Sequence, residues 1–262
     1  MKKFCVSVLV LLMVLMMCGC TKKVKDLEIT LHLPYGDRTG TYTGEMNHDL
    51  PNGEGVFKTE NEYGEKWQHE GHFVDGLFEG YGKETWEAGG KIQEGTYAGG
   101  VLNGQGTWTD EQGRIIYKGE YKDNHFDGEG AFYCNGEISY QGPFVNDIPD
   151  REEYIKAAGD LAYADAVGDP DRYYNSAVRI QGEILEVFEY DDGYVDYRID
   201  VNPDDDSESV FYAISYTDDY KDQTYTEGDM ITVYGQYYGL DTYQEANGTT
   251  MAEPAVVFYY VE

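Results

Sequence analysis

Cysteine is nearly absent from this chain of 262 residues. Cys5, Cys18 and Cys20 crowd the first twenty positions, and Cys134 stands alone in the rest. A scaffold stapled by disulfides is therefore excluded. Cys134 ends the strand-like run 131–134, before Asn135-Gly136, with no histidine paired to it. It reads as a small half-buried hydrophobe rather than a nucleophile. Basic residues are scarce as well: 19 Lys and Arg face 50 Asp and Glu, a formal net charge of −31. From Asp150 onward 27 acids face 6 bases. Such a surface repels phosphate backbones, so nucleic acid is not an expected partner. The sequence also lacks a nucleophile beside a base, a triad of metal ligands and a phosphate-cradling glycine loop. The acids follow no calcium-loop spacing, and Asp204-Asp205-Asp206 reads as a solvated turn. The expectation is a protein that is not an enzyme, with no cofactor and no metal. Carboxylate pairs arise by chance in so acidic a chain, so composition does not support a carboxylate-dependent hydrolase, the weaker of two alternatives.

What the chain does contain begins with Lys2 and Lys3, an apolar run over 6–17, and Cys18-Gly19-Cys20. A basic start, a short greasy stretch and a small residue before the cut describe a secretory signal. The run is too short for a membrane-spanning helix. The Gly19-Cys20 step resembles the lipobox of bacterial lipoproteins. That resemblance implies a signal peptide over 1–19, a diacylated Cys20 and residence on the outer face of the cytoplasmic membrane. Two acyl chains suffice for stable anchoring. Residues 20–39 are then expected as a linker from the anchor, with Lys22, Lys23 and Lys25 facing lipid headgroups.

A glycine beat fills 40–147. Each unit opens with a glycine, has an aromatic residue or Met two positions on, and closes with glycines at offsets nine and eleven. The copies are Gly44/Gly53/Gly55, Gly71/Gly80/Gly82, Gly95/Gly104/Gly106 and Gly119/Gly128/Gly130; Gly142 opens a fifth that stops. The opening glycines lie 27, 24, 24 and 23 residues apart. A fixed period in this range signals an array in which each unit needs its neighbours to bury its apolar face. Each copy reads as a β-hairpin. Asn52-Gly53, Asn103-Gly104, Asp127-Gly128 and Asn135-Gly136 suit tight corners because these residues tolerate positive φ. Gly53, Gly55, Gly80, Gly82, Gly104, Gly106, Gly128 and Gly130 are accordingly expected at turns, or where backbone segments approach closely. Met46, Phe73, Tyr97, Tyr121 and Phe144 are expected to form a ladder along one face.

Tyr42-Thr43-Gly44-Glu45-Met46, Glu70-Gly71-His72-Phe73, Glu94-Gly95-Thr96-Tyr97 and Tyr117-Lys118-Gly119-Glu120-Tyr121, each followed by its Gly-x-Gly pair, resemble MORN repeats. The first copy has Met in place of the aromatic, and His69 and Gln93 replace the leading Tyr in the second and third. The resemblance implies an elongated single-layer antiparallel sheet used for scaffolding, spacing or self-association. Lipid contact, proposed for some members, would need basic residues that are scarce here. His69 and His72, three apart on a strand, fall on opposite faces and are not expected to share a metal.

From Asp150 the pattern changes. Asp150 with Glu153 opens a short helix through Ala158, and a second helical turn over 162–167 stops at Gly168-Asp169-Pro170. Strand-like runs follow near 178–187, 195–201, 210–216, 230–238 and 256–261, the first slipping phase after Gly182 as a bulge would make it do. Pro254 is expected just before the last strand, where its missing N–H is tolerated. A short helical lead and five strands suggest a small barrel of OB type over 150–262. The segments Tyr163-Ala164-Asp165-Ala166-Val167-Gly168-Asp169-Pro170 and Gly228-Asp229-Met230-Ile231-Thr232-Val233-Tyr234-Gly235 resemble an OB-like domain of bacterial surface lipoproteins, which implies fold and location rather than a ligand. The fold class expected is therefore mainly β: a long antiparallel hairpin array, then a small OB-like barrel with a short helical lead.

Tyr accounts for 26 residues. Tyr197, Tyr212, Tyr234, Tyr237, Tyr238 and Tyr243 are the candidate ligand contacts, a groove for a sugar ring or peptide, although Tyr is also a good strand former whose ring packs. The function expected is a lipid-anchored surface protein, the array spacing or scaffolding the OB-like binding module. Its partners would be the membrane through the anchor, an envelope protein and, by self-association, itself. The first alternative is a module binding cell-wall glycan through exposed Tyr.

Overall fold

The computed structural model describes residues 21–61, 63–88, 90–204, 209–217, 225–244 and 250–262, without the side chains of Thr21, Tyr243 and Gln244. The expected signal, Cys20 and most of the Asp204-Asp205-Asp206 turn lie outside the described residues.

Eleven strands form one antiparallel meander in sequence order. It runs from β1 (Thr21–Leu33) and β2 (Gly36–Asn47) through β3 (Leu50–Glu60), β4 (Lys66–Val74), β5 (Leu77–Trp86), β6 (Ile92–Ala98), β7 (Val101–Thr109), β8 (Ile115–Lys122) and β9 (His125–Cys134) to β10 (Glu137–Val145) and the short β11 (Ile148–Pro149). The expected linker over 20–39 is therefore sheet. Leu27, Ile29, Leu31 and Leu33 alternate with polar residues, the pattern of a strand with one covered face. Leu31 and Leu33 are buried, and β1 pairs with β2 along its length.

The glycine beat acquires a geometric meaning from the register. Gly44 faces Gly55, which faces Gly71, and the row continues through Gly82, Gly95, Gly106, Gly119 and Gly130 to Gly142. Aromatic rings lie over this row. A Cβ on Gly55 would strike the Tyr42 ring, one on Gly82 the His69 ring, and one on Gly130 the Tyr117 ring. Gly55, Gly82, Gly106 and Gly130 are thus strand-interior residues that admit rings, not turn residues. The offset-nine glycines are not turn tips either. Gly53, Gly80, Gly104 and Gly128 have positive φ inside strands, where their strand carries two residues more than its partner and the register shifts. These are bulges, which glycine accommodates because it has no Cβ. Asn135-Gly136 is a turn, as the sequence predicts, and the others fall at Asp75-Gly76, Gly99-Gly100 and Asp123-Asn124, all with positive φ. Met46, Phe73, Tyr97, Tyr121 and Phe144 are buried as a ladder, joined by Tyr42, His69, Tyr117 and Tyr140.

A single-layer sheet leaves its apolar face uncovered unless something folds onto it. Two parts of this chain do so. At one end the β1–β2 hairpin tip brings Leu33 and Pro34 against the Gly100 turn, beside Leu77. At the other, α1 (Arg151–Ala157) places Tyr154 on Tyr140, with ring centroids 5.0 Å apart. Asp150 caps α1 by accepting a hydrogen bond from the Glu153 N–H at 3.0 Å, as the sequence predicts.

Two further helical turns, α2 (Tyr163–Gly168) and α3 (Pro170–Tyr173), lead into a second sheet. It contains β12 (Gly159–Asp160), β13 (Ala177–Glu189), β14 (Val195–Asp200), β15 (Val210–Ser215), β16 (Met230–Gln244) and β17 (Thr250–Val261). The order β13-β14-β15-β17-β16 closes because β16 also pairs with β13. The β15–β17 pair is parallel. The bulge on β13 falls between Ile184 and Glu186. Pro254 lies inside β17 rather than before it, at a position paired with β16 but not with β15. Ile180, Ile184, Tyr197, Ile199, Phe211, Val233 and Phe258 fill the ring's core. The two sheets also share a core. Tyr154, Ala177, Tyr234 and Tyr259 are buried in the same cluster as the array's aromatics, with Tyr259 stacked at 6.4 Å on Phe132.

Candidate ligand cleft between the repeat sheet and the ring

Where the ring docks on the aromatic face, the fit is incomplete and a cleft of about 440 Å³ remains. Trp86 at the end of β5, Trp108 on β7 and Phe126 on β9 form the wall given by the repeats. Tyr174, Tyr216, Tyr238 and Tyr259 form the opposite wall. Gln93, Asn124, Asn175 and Gln236 supply planar amides. Lys91 and Asp147 are its charged lining residues among those described. In a chain of 50 acids that sparing is informative, because an apolar wall beside a few neutral polar groups favours an uncharged ligand.

Asn175 is the joint. It is buried in a left-handed conformation, φ +67°, which Asn tolerates better than other residues. Its Nδ2 donates to the Ile116 carbonyl at 2.9 Å and the Tyr133 carbonyl at 2.7 Å, both on the array. Its Oδ1 accepts from Gln236 Nε2 at 2.8 Å, and Gln236 Oε1 accepts from the Tyr259 hydroxyl at 2.6 Å. Asn135 Nδ2 donates to the Arg172 carbonyl at 2.8 Å, and Ser139 donates to the Asn175 carbonyl at 3.0 Å. These bonds fix the angle between the walls, so the cleft is built before any ligand enters. The phenols of Tyr174 and Tyr237 stay protonated near neutrality. Burial, then the neighbouring Tyr238, pushes Tyr174 up to about 12, and burial with Asp171 does the same for Tyr237.

The six candidate tyrosines separate. Tyr238, 57% exposed, stands at the cleft, and Tyr237 reaches it although its hydroxyl is tied to the Ala166 carbonyl at 2.8 Å. Tyr197 and Tyr234 are buried packing residues, not ligand contacts. Their strand alternation points them inward, against Phe258 for Tyr197 and into the core shared with the repeats for Tyr234. Tyr212 lines a different pocket on the ring. The side chain of Tyr243 lies outside those described. Sequence reasoning missed Trp86, Trp108, Tyr174 and Tyr216. Two of the three Trp falling on returning strands of successive repeats was the available signal. Arg172, Arg179 and Arg198 form no shared basic patch. Arg179 pairs with Asp160 at 2.8 Å, Arg198 with Glu253 at 2.5 Å, and Arg172 lies over the Tyr173 ring. His69 is buried and stacked on Phe78 at 3.7 Å, whereas His72 faces outward to Glu54.

With this geometry in hand, the comparisons with known proteins are specific for the array alone. The model of the MORN repeat family matches residues 42–61, 69–91, 94–113 and 117–137, so the chain carries MORN repeats. No curated protein matches it significantly. Two crystal structures of Rim1, a mitochondrial single-stranded DNA binding protein from S. cerevisiae, resemble part of it at 15% and 16% identity. Each match covers 33% of this chain and 92% of that one, with a TM-score of 0.25, a likeness too low to carry an argument.

Proposed function

We propose that this chain is a non-catalytic surface protein, held to the membrane by lipid on Cys20, in which the MORN sheet is a rigid scaffold for an OB-like binding module. The observation that carries this reading is the shared core. Tyr154, Ala177, Tyr234 and Tyr259 are buried among the array's aromatics, so the second sheet is held in a fixed pose on the repeats. The closed order β13-β14-β15-β17-β16, with its long bulged first strand, supports an OB-like ring. The basic Lys22 and Lys23 lie on β1 next to the proposed anchor and can face headgroups. The cleft is the ligand site of this reading, its occupant an envelope protein segment or a wall saccharide.

The saccharide reading is favoured by the lining. Indole faces such as those of Trp86 and Trp108 suit the C–H face of a sugar ring, and neutral amides suit hydroxyls. Two measurements test the proposal. Cys20→Ala should leave an unprocessed precursor or release the protein from membranes; a variant processed and retained like wild type removes the anchor. Trp108→Ala should abolish capture of soluble wall fragments by the full chain while the fold, followed by circular dichroism, persists. Undiminished capture would move the ligand elsewhere.

A further inference from the structure

The ring carries a second pocket, of about 370 Å³, that shares no residue with the cleft. We propose that it is a site for an organic ammonium ion, with the rings of Phe188, Tyr190 and Tyr212 and the carboxylates of Glu186, Asp241 and Glu253 as its walls. The inference does not depend on what fills the cleft.

The strand register assembles these residues. Glu186 pairs with Arg198 across β13 and β14, Arg198 pairs with Tyr212 across β14 and β15, and Asp241 pairs with Glu253 across β16 and β17. Phe188 stands two residues beyond Glu186, hence on the same face. Phe188 and Tyr212 meet edge to face at 6.0 Å and 79°, so two aromatic walls make a corner. Every residue lining the pocket is either aromatic or ionic.

The charges decide the sign of the ligand. Arg198 is the one cation of the lining, and it is held by two of the carboxylates, Glu253 at 2.5 Å and Glu186 at 3.5 Å. Three carboxylates against one guanidinium leave an excess of negative charge. Asp196 adds to it from beneath. It is buried and accepts hydrogen bonds from the hydroxyls of Tyr212 at 2.8 Å and Tyr190 at 3.2 Å. Those two phenols therefore direct their protons to Asp196. Tyr212 is shifted upward by burial and then by Tyr190 and Asp196, in keeping with negative surroundings. An anion entering here meets a guanidinium already paired with two carboxylates. A cation meets carboxylate oxygens and aromatic faces, the combination that recognises ammonium groups.

The same geometry separates an organic cation from a metal ion. Among the described residues no three His, Cys, Asp or Glu side chains converge as metal ligands. The carboxylates are spread around the rings instead of gathered at a point. A pocket of this volume, with three aromatic rings among its walls, suits a cation that carries its own apolar surface. Trimethylammonium and primary alkylammonium groups share that chemistry.

The test is calorimetric titration of the full chain in detergent with choline, with propylamine, with the uncharged choline isostere 3,3-dimethylbutan-1-ol and with an oligothymidylate. Binding is expected for one or both ammonium compounds, the two arms showing which headgroup is preferred. The isostere should bind about tenfold more weakly, and the oligonucleotide not at all. Asp241→Asn removes one charge from an exposed side chain without touching the core, and should lower ammonium affinity severalfold. Phe188→Leu should do the same, whereas Glu129→Gln, an exposed acid on the array, should not. Equal binding of choline and its isostere, absence of any ammonium binding, or an affinity as sensitive to Glu129→Gln as to Asp241→Asn would each overturn the proposal. The Asp241 variant keeps the test decisive should Phe188→Leu disturb the strand.

Discussion

The row of glycines running across nine strands is where single atoms matter most. Tyr42 donates its hydroxyl proton to the Glu45 carbonyl at 2.8 Å, and Tyr117 does the same to the Glu120 carbonyl at 2.9 Å. Each ring is thereby pinned flat over its glycines. A methyl group at Gly130 would lie closer to the Tyr117 ring than real Cβ atoms lie to anything. Gly130→Ala should cost about 1–3 kcal/mol, the range for overpacking. Gly136 is a turn glycine with φ +84° and open space around its Cβ position, so Gly136→Ala should cost only about 1 kcal/mol, through backbone strain. Urea midpoints compare the two, and equal shifts would contradict the ring-over-glycine packing. Tyrosine also sets the alkaline limit of the protein. Burial holds Tyr42, Tyr140 and Tyr197 up to about 12, above their ordinary value of 10. A folded-state value raised above the unfolded one gives stability that is full below pH 10 and is lost as pH rises toward 12. Melting temperature should therefore fall steeply across that window while being flat with respect to these groups at neutral pH. The tyrosinate absorbance contributed by these three phenols should appear with unfolding.

At the scale of elements, the β1–β2 hairpin does the work of a cap. A repeat array needs its terminal units covered, because each unit lacks a neighbour on one side. Here a strand from outside the repeats supplies the cover, burying Leu31 and Leu33 at the amino-terminal end. Leu31→Ala should destabilise the protein by about 2–5 kcal/mol, the cost of a buried leucine plus its cavity. A linker residue would change stability by less than about 0.5 kcal/mol, as surface positions do. Chemical denaturation of the variant distinguishes the two. At the carboxyl-terminal end the capping is done by α1 and by the ring, through Tyr154 and Tyr259.

For the whole molecule, the consequence is that repeats and ring should unfold together. Asn175 is the point at which that coupling can be cut. Asn175→Leu removes two donors from array carbonyls and one acceptor from Gln236, and forces a branched side chain into a positive φ. Each carbonyl left buried without a partner costs about 1–3 kcal/mol. The wild-type chain should show one calorimetric transition and the variant two, or one at a temperature lower by several degrees. A variant that melts as wild type would mean that the aromatic contact alone fixes the pose.

Much of this was legible in the sequence, for a definite reason. Repeat period, strand alternation and the Asp150 cap are local signals, written in offsets of two to twenty-seven residues, and they located the strands, α1 and the change of pattern at Asp150. The alternation in 27–33 was legible too, but the neighbouring lysines and the expected anchor led to a linker. What local pattern does not contain is register. The pairing of Gly44 with Gly55, and of Gly55 with Gly71, depends on where each bulge falls, so the same glycines were expected at turns. Nor does it contain the docking of one sheet on another. Tyr197 and Tyr238 look alike in sequence, yet one is buried in the ring core and the other stands open at the cleft. Burial is set by which face meets a partner, and for Tyr197 that partner, Phe258, lies 61 residues away in the chain. The sequence by itself determined the elements and their period; only the tertiary structure decided that Trp86 and Trp108 face Tyr174 and Tyr238 across a gap. The physical reason is that hydrogen-bond registers and aromatic contacts between distant segments are fixed by packing, not by any single segment's preference.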